Sequence, residues 1–234
     1  MTVRVHRYTD ADQLNAGVAR HLVARLASPH STSICLSDGL GDVLTALKGA
    51  VAKTTIDTKR LELWWSDERY VEVTDPSRVS TRTLAAIGKA LRLSSGNVHP
   101  MPTPSGNADV DAAALQYADE LGTTAFDLAL LSLGDDGSVA GLATGSPAFT
   151  APKSHTVLGV PDGDGERLTL TLRALARAEE VWYVATGDAI AKSLAKVVHD
   201  DESLPAGVLR GRLATHIFAD QPASAELPWY RCEL

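Results

Sequence analysis

Cysteine is nearly missing from this chain: 234 residues hold Cys35, Cys232 and no other. Standing at opposite ends, they are too few for a disulfide framework, and no histidine lies at metal-ligand spacing from either. Positive charge is also short. Lys and Arg number 22 against 29 Asp and Glu, a formal net charge of −7. That balance disfavours nucleic acid or an anionic membrane surface as partner, but leaves room for a small phosphorylated ligand in a locally positive pocket. No run approaches the roughly 18 apolar residues of a membrane span. The opening "MTVRVHRYTDADQL" has no apolar signal core, so a cytoplasmic, reduced protein is expected. One more shortage bears on chemistry. None of His6, His21, His30, His99, His155, His199 and His216 stands in a Gly-rich turn after a strand. Each reads as a surface or helix-face residue rather than a catalytic base.

What the chain does have is alternation. "TVRVHRY" (2–8) reads as an edge strand, and Thr9 or Asp10 caps a helix carrying Leu14, Val18, His21, Leu22 and Leu26 at helical spacing. Strands follow at 32–37, 60–66, 126–133 and 179–186, with a last one at 213–219 and strand-like segments at 155–160 and 167–172. Helices are expected at 43–52, 80–91, 108–121 and 188–198. Strands alternating with helices predict an α/β fold: one domain over 1–234, a mostly parallel Rossmann-like sheet with helices on both faces. The length suffices for a sizeable core, and the Pro-containing stretch at 100–106 is too short for a domain linker.

Three turns follow buried strands, where ligands sit in such folds. "LSDGLGD" (36–42) could offer backbone N–H groups to an anion, or be a plain structural turn. "WWSDERY" (64–70) sets a carboxylate beside an arginine, which could orient a polyhydroxylated ligand or form a surface ion pair. "FDLALLSLGDDGSVAGLATGSP" (126–147) ends a strand in two Asp, two Gly and a Ser, then a run of small residues expected to open a helix. Other matches fail. "SLAK" (193–196) lies inside a predicted helix, "DGDGE" (162–166) is followed by Arg167 where a calcium loop needs Gly, and Ser138 lacks the G-x-S-x-G context.

Four blocks, "WWSDERYVEVTDPS", "FDLALLSLGDDGSVAGLATGSP", "RLTLTLRALARAEEVWYVATG" and "FADQPASAEL", resemble in order and spacing those of the 6-phosphogluconolactonases, relatives of glucosamine-6-phosphate deaminase. The likeness runs over nearly the whole chain, and its D-E-R-Y and R-L-T-L-T blocks are specific. It implies hydrolysis of 6-phosphoglucono-1,5-lactone to 6-phosphogluconate, in the pentose phosphate pathway, without metal or cofactor. A small sugar-phosphate lactone is then the partner, with no nucleic acid and no membrane. The family's G-x-G-P-D-G-H turn is matched by "SLGDDGS", with Ser138 at the position of the His taken as general base. The catalytic residues implied are Asp136, Ser138 and Asp67, with Asp135 an alternative to Asp136; Ser37, Gly39, Arg69 and Arg167 are implied to hold substrate.

Other positions depart from the pattern. Asp38 and Asp42 bring negative charge to the phosphate loop, Arg78 stands where the family has Asn, and Ile190 stands where a phosphate-contacting Lys is expected. Lys192 is about 200° further round the helix. These departures set two expectations side by side: a divergent lactonase, or an impaired paralogue acting as a binding or interaction subunit with a protein partner.

Overall fold

The structure is a computed structural model that describes residues 2–27, 32–53, 56, 58–106, 109–152 and 154–228. His30 and Cys232 lie outside the described residues.

Ten strands are present among them. In chain order they are β1 (Thr2–Tyr8), β2 (Thr32–Leu36), β3 (Leu61–Trp65), β4 (Asp67–Arg69), β5 (Val98–His99), β6 (Leu128–Ser132), β7 (Val157–Asp162), β8 (Gly165–Leu170), β9 (Glu180–Ala185) and β10 (Ala214–Asp220). Seven form a parallel sheet in the order β1-β10-β9-β6-β2-β3-β5. The expected parallel α/β sheet is there, with β1 on its edge.

The central strands are apolar on both faces because both are covered. On one face Ile34, Leu36, Leu63, Trp65, Leu128 and Leu130 meet α1 (Ala11–Leu26) and α2 (Gly41–Val51). On the other, Cys35, Trp64, Ala129, Leu131 and Tyr183 join residues of α5 (Val110–Leu121) and α7 (Ala191–Val198). Each fully buried Leu or Val here contributes about 1.5–3 kcal/mol. Of the two cap candidates for α1, Asp10 accepts from Gln13 N at 2.8 Å; Asp109 caps α5, accepting from Ala112 N at 2.7 Å.

Two expectations are corrected. The segments at 155–160 and 167–172 leave the parallel sheet and form, with β4, a three-stranded antiparallel sheet β4-β8-β7. Between β7 and β8 stand only Gly163 and Asp164, a two-residue link that can join antiparallel but not parallel strands. No helix follows Ser138. Gly137, Ala140, Gly141 and Gly145 all have positive φ, and Pro147 follows, so 138–151 runs as irregular chain. The helix expected at 80–91 is present, running without a break as α3 (Val79–Thr83), a π-helical turn (Leu84–Gly88) and α4 (Lys89–Leu91). The short helices α6 (Leu172–Leu175) and α8 (Pro205–Val208) complete the set.

Two histidines read as surface residues instead clasp the edge strand. His6 Nε2 of β1 and His216 Nδ1 of β10 lie 2.9 Å apart, with the Phe218 ring stacked on His6. Burial above all, with His216, His21 and Arg4 nearby, lowers the His6 pKa to about 4, and burial also lowers that of His216. Between an unfolded pKa of about 6.5 and that folded value the unfolded chain binds more protons, so stability falls as pH falls. Denaturant midpoints are therefore expected to drop between about pH 7 and about pH 5, and His6→Phe to flatten the drop. An equal drop in both proteins would remove His6 as the cause.

Candidate active site

The sheet's order reverses at β2, which has β3 on one side and β6 on the other. The chain after β2 enters α2 on one face, whereas the chain after β6 crosses to the other. A crevice opens between the two departing loops, at the strands' carboxyl ends, as it does in doubly wound sheets generally. It is a cleft of about 420 Å³, walled by Ser37 to Gly39, Asp67, Ser132 to Gly134, Ser138 to Ala143, and Asp162 and Arg167 of the hairpin.

Ser37 and Gly39 hold the β2 side. Ser132 N donates to Ser37 Oγ at 2.8 Å, and that hydroxyl donates to Asp38 O, also at 2.8 Å, so Ser37 fastens β2 to β6 at the crevice floor. Gly39 has φ +79°, and a Cβ there would come within 2.8 Å of the Ser132 side chain. Only glycine suits both the conformation and the approach.

The D-E-R and R-L-T blocks meet as cross-strand partners: Asp67 faces Thr169, Glu68 faces Leu168, and Arg69 faces Arg167. Strand periodicity then separates their side chains. Asp67 and Arg167 turn to the cleft, where Arg167 Nη1 lies 2.6 Å from Asp67 Oδ2. Ser66 Oγ donates to Asp67 Oδ1 at 2.8 Å. Asp67 is 2% exposed. Burial pushes its carboxyl above the usual carboxylate range, against the pull of Arg167 and Ser66. Burial works against the Arg167 charge too, but Asp67 and Asp162 outweigh it and keep the guanidinium firmly protonated.

Glu68, on the opposite face of β4, never sees the cleft. Its Oε1 accepts from Val79 N at 2.7 Å and its Oε2 from Ser80 N at 2.8 Å, with Arg78 Nε 3.9 Å away. Arg78, where the resemblance expects Asn, is a buried structural residue. It donates to Val71 O and Met101 O.

Ser138 lines the cleft, but Asp136 does not. Asp136 is exposed and its Oδ1 accepts from Ser138 N at 2.8 Å, closing a turn. Asp135 is exposed as well, and neither is among the lining residues. Beyond Ser138 the loop is pinned to the hairpin. Ala140, with φ +55°, has its carbonyl held by Thr169 Oγ1 at 2.8 Å, and a Cβ on Gly141 would meet Thr169 and Asp67 at 3.0–3.1 Å. Among the described residues no histidine lines the cleft.

Arg69 lies just outside, in an adjoining hollow of about 440 Å³ that shares Asp38, Asp162 and Arg167 with the cleft and adds Ser77 and Arg82. Asp38 is paired with Arg82, Nη2 to Oδ1 2.8 Å. Asp42 is exposed in the first turn of α2 and lines neither space. Ile190 is buried and Lys192 exposed; neither lines them either. Two residues were missed from the sequence. Asp162, 3.0 Å from Arg167 Nη2 and 3.3 Å from Arg69 Nε, sat inside a motif considered only as a calcium loop. Arg82 carried no signal at all.

Comparison with known proteins adds three findings. A family model described as glucosamine-6-phosphate isomerases/6-phosphogluconolactonase matches residues 9–217. A 6-phosphogluconolactonase of Streptomyces coelicolor is 34% identical, over 96% of this chain and 94% of its own length; one of Mycobacterium tuberculosis is 32% identical over 97% and 100%. Among solved structures, a 6-phosphogluconolactonase of Thermotoga maritima superposes with TM-score 0.80 at 25% identity, covering 94% of this chain and 100% of that one. A monomeric glucosamine-6-phosphate deaminase superposes with TM-score 0.79 at 15% identity, covering 95% and 99%, which shows the shared fold alone.

Proposed function

This chain belongs to the glucosamine-6-phosphate isomerase/6-phosphogluconolactonase family, and from there we propose that it hydrolyses 6-phosphoglucono-1,5-lactone to 6-phosphogluconate. The observation that carries the reading is Asp67: a carboxylate in the wall of the switch-point cleft, clamped by Arg167 and raised in pKa by burial. Lactone opening needs a base for water and donors for the oxyanion.

In this reading ionised Asp67 takes a proton from water as the water oxygen bonds to the lactone carbonyl carbon. The tetrahedral oxyanion then collapses, the ring C–O bond breaks, and the proton passes from Asp67 to the departing ring oxygen. Arg167 and Ser66 occupy one lone pair on each Asp67 oxygen and fix the carboxylate's orientation, leaving a second lone pair on each for water. Ser138, also in the cleft lining, can offer its hydroxyl to the substrate. Asp136 acts only through the turn it closes.

The test is a lactonase assay on purified protein, corrected for spontaneous hydrolysis of the lactone. Saturable turnover above that background is expected; none would sink the reading. Asp136→Asn keeps the acceptor for Ser138 N and is expected to cost less than about tenfold, against the 10²–10⁴-fold that a general base contributes. A loss in the larger range would return Asp136 to the role of base.

A further inference from the structure

Resting on that lactonase reading, we propose that Arg82 is the residue that reads the substrate's phosphate in this chain, and that Asp38 is the placeholder it gives up on binding. Neither the D-E-R-Y nor the R-L-T-L-T block contains it. Three arginines, Arg69, Arg82 and Arg167, rim the hollow that continues the cleft. They are not equally available. The Arg167 guanidinium is committed on both sides, Nη1 to Asp67 and Nε and Nη2 to Asp162, and its side chain is 16% exposed. Arg69 is drawn towards Asp162, with Asp164 3.9 Å away.

Arg82 meets one carboxylate through one nitrogen. Its side chain is 51% exposed, and the Asp38 side chain 40%. A second contact of the same nitrogen, to Ser77 O, is long at 3.4 Å. An ion pair this open contributes little and exchanges readily. A phosphate offers the guanidinium fork more charge and a bidentate geometry that the single contact to Asp38 lacks.

Placement supports the exchange. A lactone ring beside Asp67 would extend its phosphate along the shared wall of Asp38, Asp162 and Arg167 into the hollow. Glu68 fixes the start of α3 by accepting from Val79 N and Ser80 N, which sets Arg82, on the same short helix, over the mouth. Arg82 thus supplies a cation that the α7 side, with Ile190 buried and Lys192 turned outward, does not. Asp38 holds the arginine at the hollow through that one contact.

The experiment compares steady-state kinetics on 6-phosphoglucono-1,5-lactone and on unphosphorylated glucono-1,5-lactone, with 6-phosphogluconate as inhibitor. Arg82→Gln is expected to cut the kcat/KM preference for the phosphorylated lactone about 10–100-fold, mainly through KM, the worth of a hydrogen bond to a charged group. Asp38→Asn retains an acceptor for Gly39 N, which now donates to Asp38 Oδ1 at 2.7 Å. It should tighten 6-phosphogluconate several-fold, less so with added salt, and the gain should vanish when Arg82→Gln is present. An active wild type whose preference survives Arg82→Gln overturns the assignment and leaves the lactonase reading standing. A wild type with no turnover above background overturns both.

Discussion

Asp67→Asn is expected to lower turnover of 6-phosphoglucono-1,5-lactone by about 10²–10⁴-fold while leaving the protein folded. Asparagine keeps the size of the side chain and an acceptor for Arg167, but cannot take a proton from water. The sign of the pH dependence follows from burial. Because Asp67 titrates above the ordinary carboxylate value, the wild-type kcat/KM should fall with acid through a midpoint higher than that of an exposed aspartate. The residual activity of Asp67→Asn should lack that limb. Stopped assays across the acid range, each corrected for spontaneous hydrolysis, measure both. A variant that retains wild-type turnover, or keeps the same acid limb, would show that water is activated elsewhere.

A second large effect concerns stability. Glu68 is 0% exposed, and Arg78 beside it is 2% exposed. Burial lowers the Arg78 pKa, and Glu68 followed by Glu72 offsets that only in part. Glu68→Ala leaves two helix-start N–H groups and a buried guanidinium without their carboxylate. Removing one member of a buried pair costs about 3–5 kcal/mol. For a chain of this length each kcal/mol lowers Tm by about 2–4 °C, so a fall of roughly 6–20 °C is expected. Glu68→Gln, which keeps the volume and one acceptor, should lose less. Calorimetry or a denaturant midpoint reads the difference, and a change in Glu68→Ala under about 1 kcal/mol would count against this role. Because Glu68 also sets the start of α3, Glu68→Gln should weaken discrimination for the phosphorylated lactone.

The buried parallel strands were legible because a strand covered on both faces shows as an unbroken apolar run, as in "LALLS" and "VWYVA". The turns after β2, β3 and β6 were legible for the same reason, each being the polar end of such a run. Antiparallel β4-β8-β7 was not. Its strands alternate only partly, and the two-residue link that dictates their direction was weighed as a metal loop. Asp162 went unnoticed with it. The helix expected after Ser138 is absent because a run of small residues does not fix φ: Gly137 before it and Ala140, Gly141 and Gly145 after it all have positive φ. Glu68 and Asp67 could not be told apart by spacing. Which face of β4 meets the cleft is decided by its pairing with β8, and nothing local to D-E-R encodes that.

The clasp between Arg167 and Asp67 joins positions 100 residues apart in the chain. Closing so long a loop is entropically costly, and such contacts pay back only after the intervening chain is ordered. The cleft therefore has no early folding form. A nascent or truncated chain ending before β8 would own a D-E-R strand with no partner along one edge and a buried aspartate with no counterion. In refolding, lactonase activity should then return only once β4 and β8 have paired and brought Arg167 to Asp67.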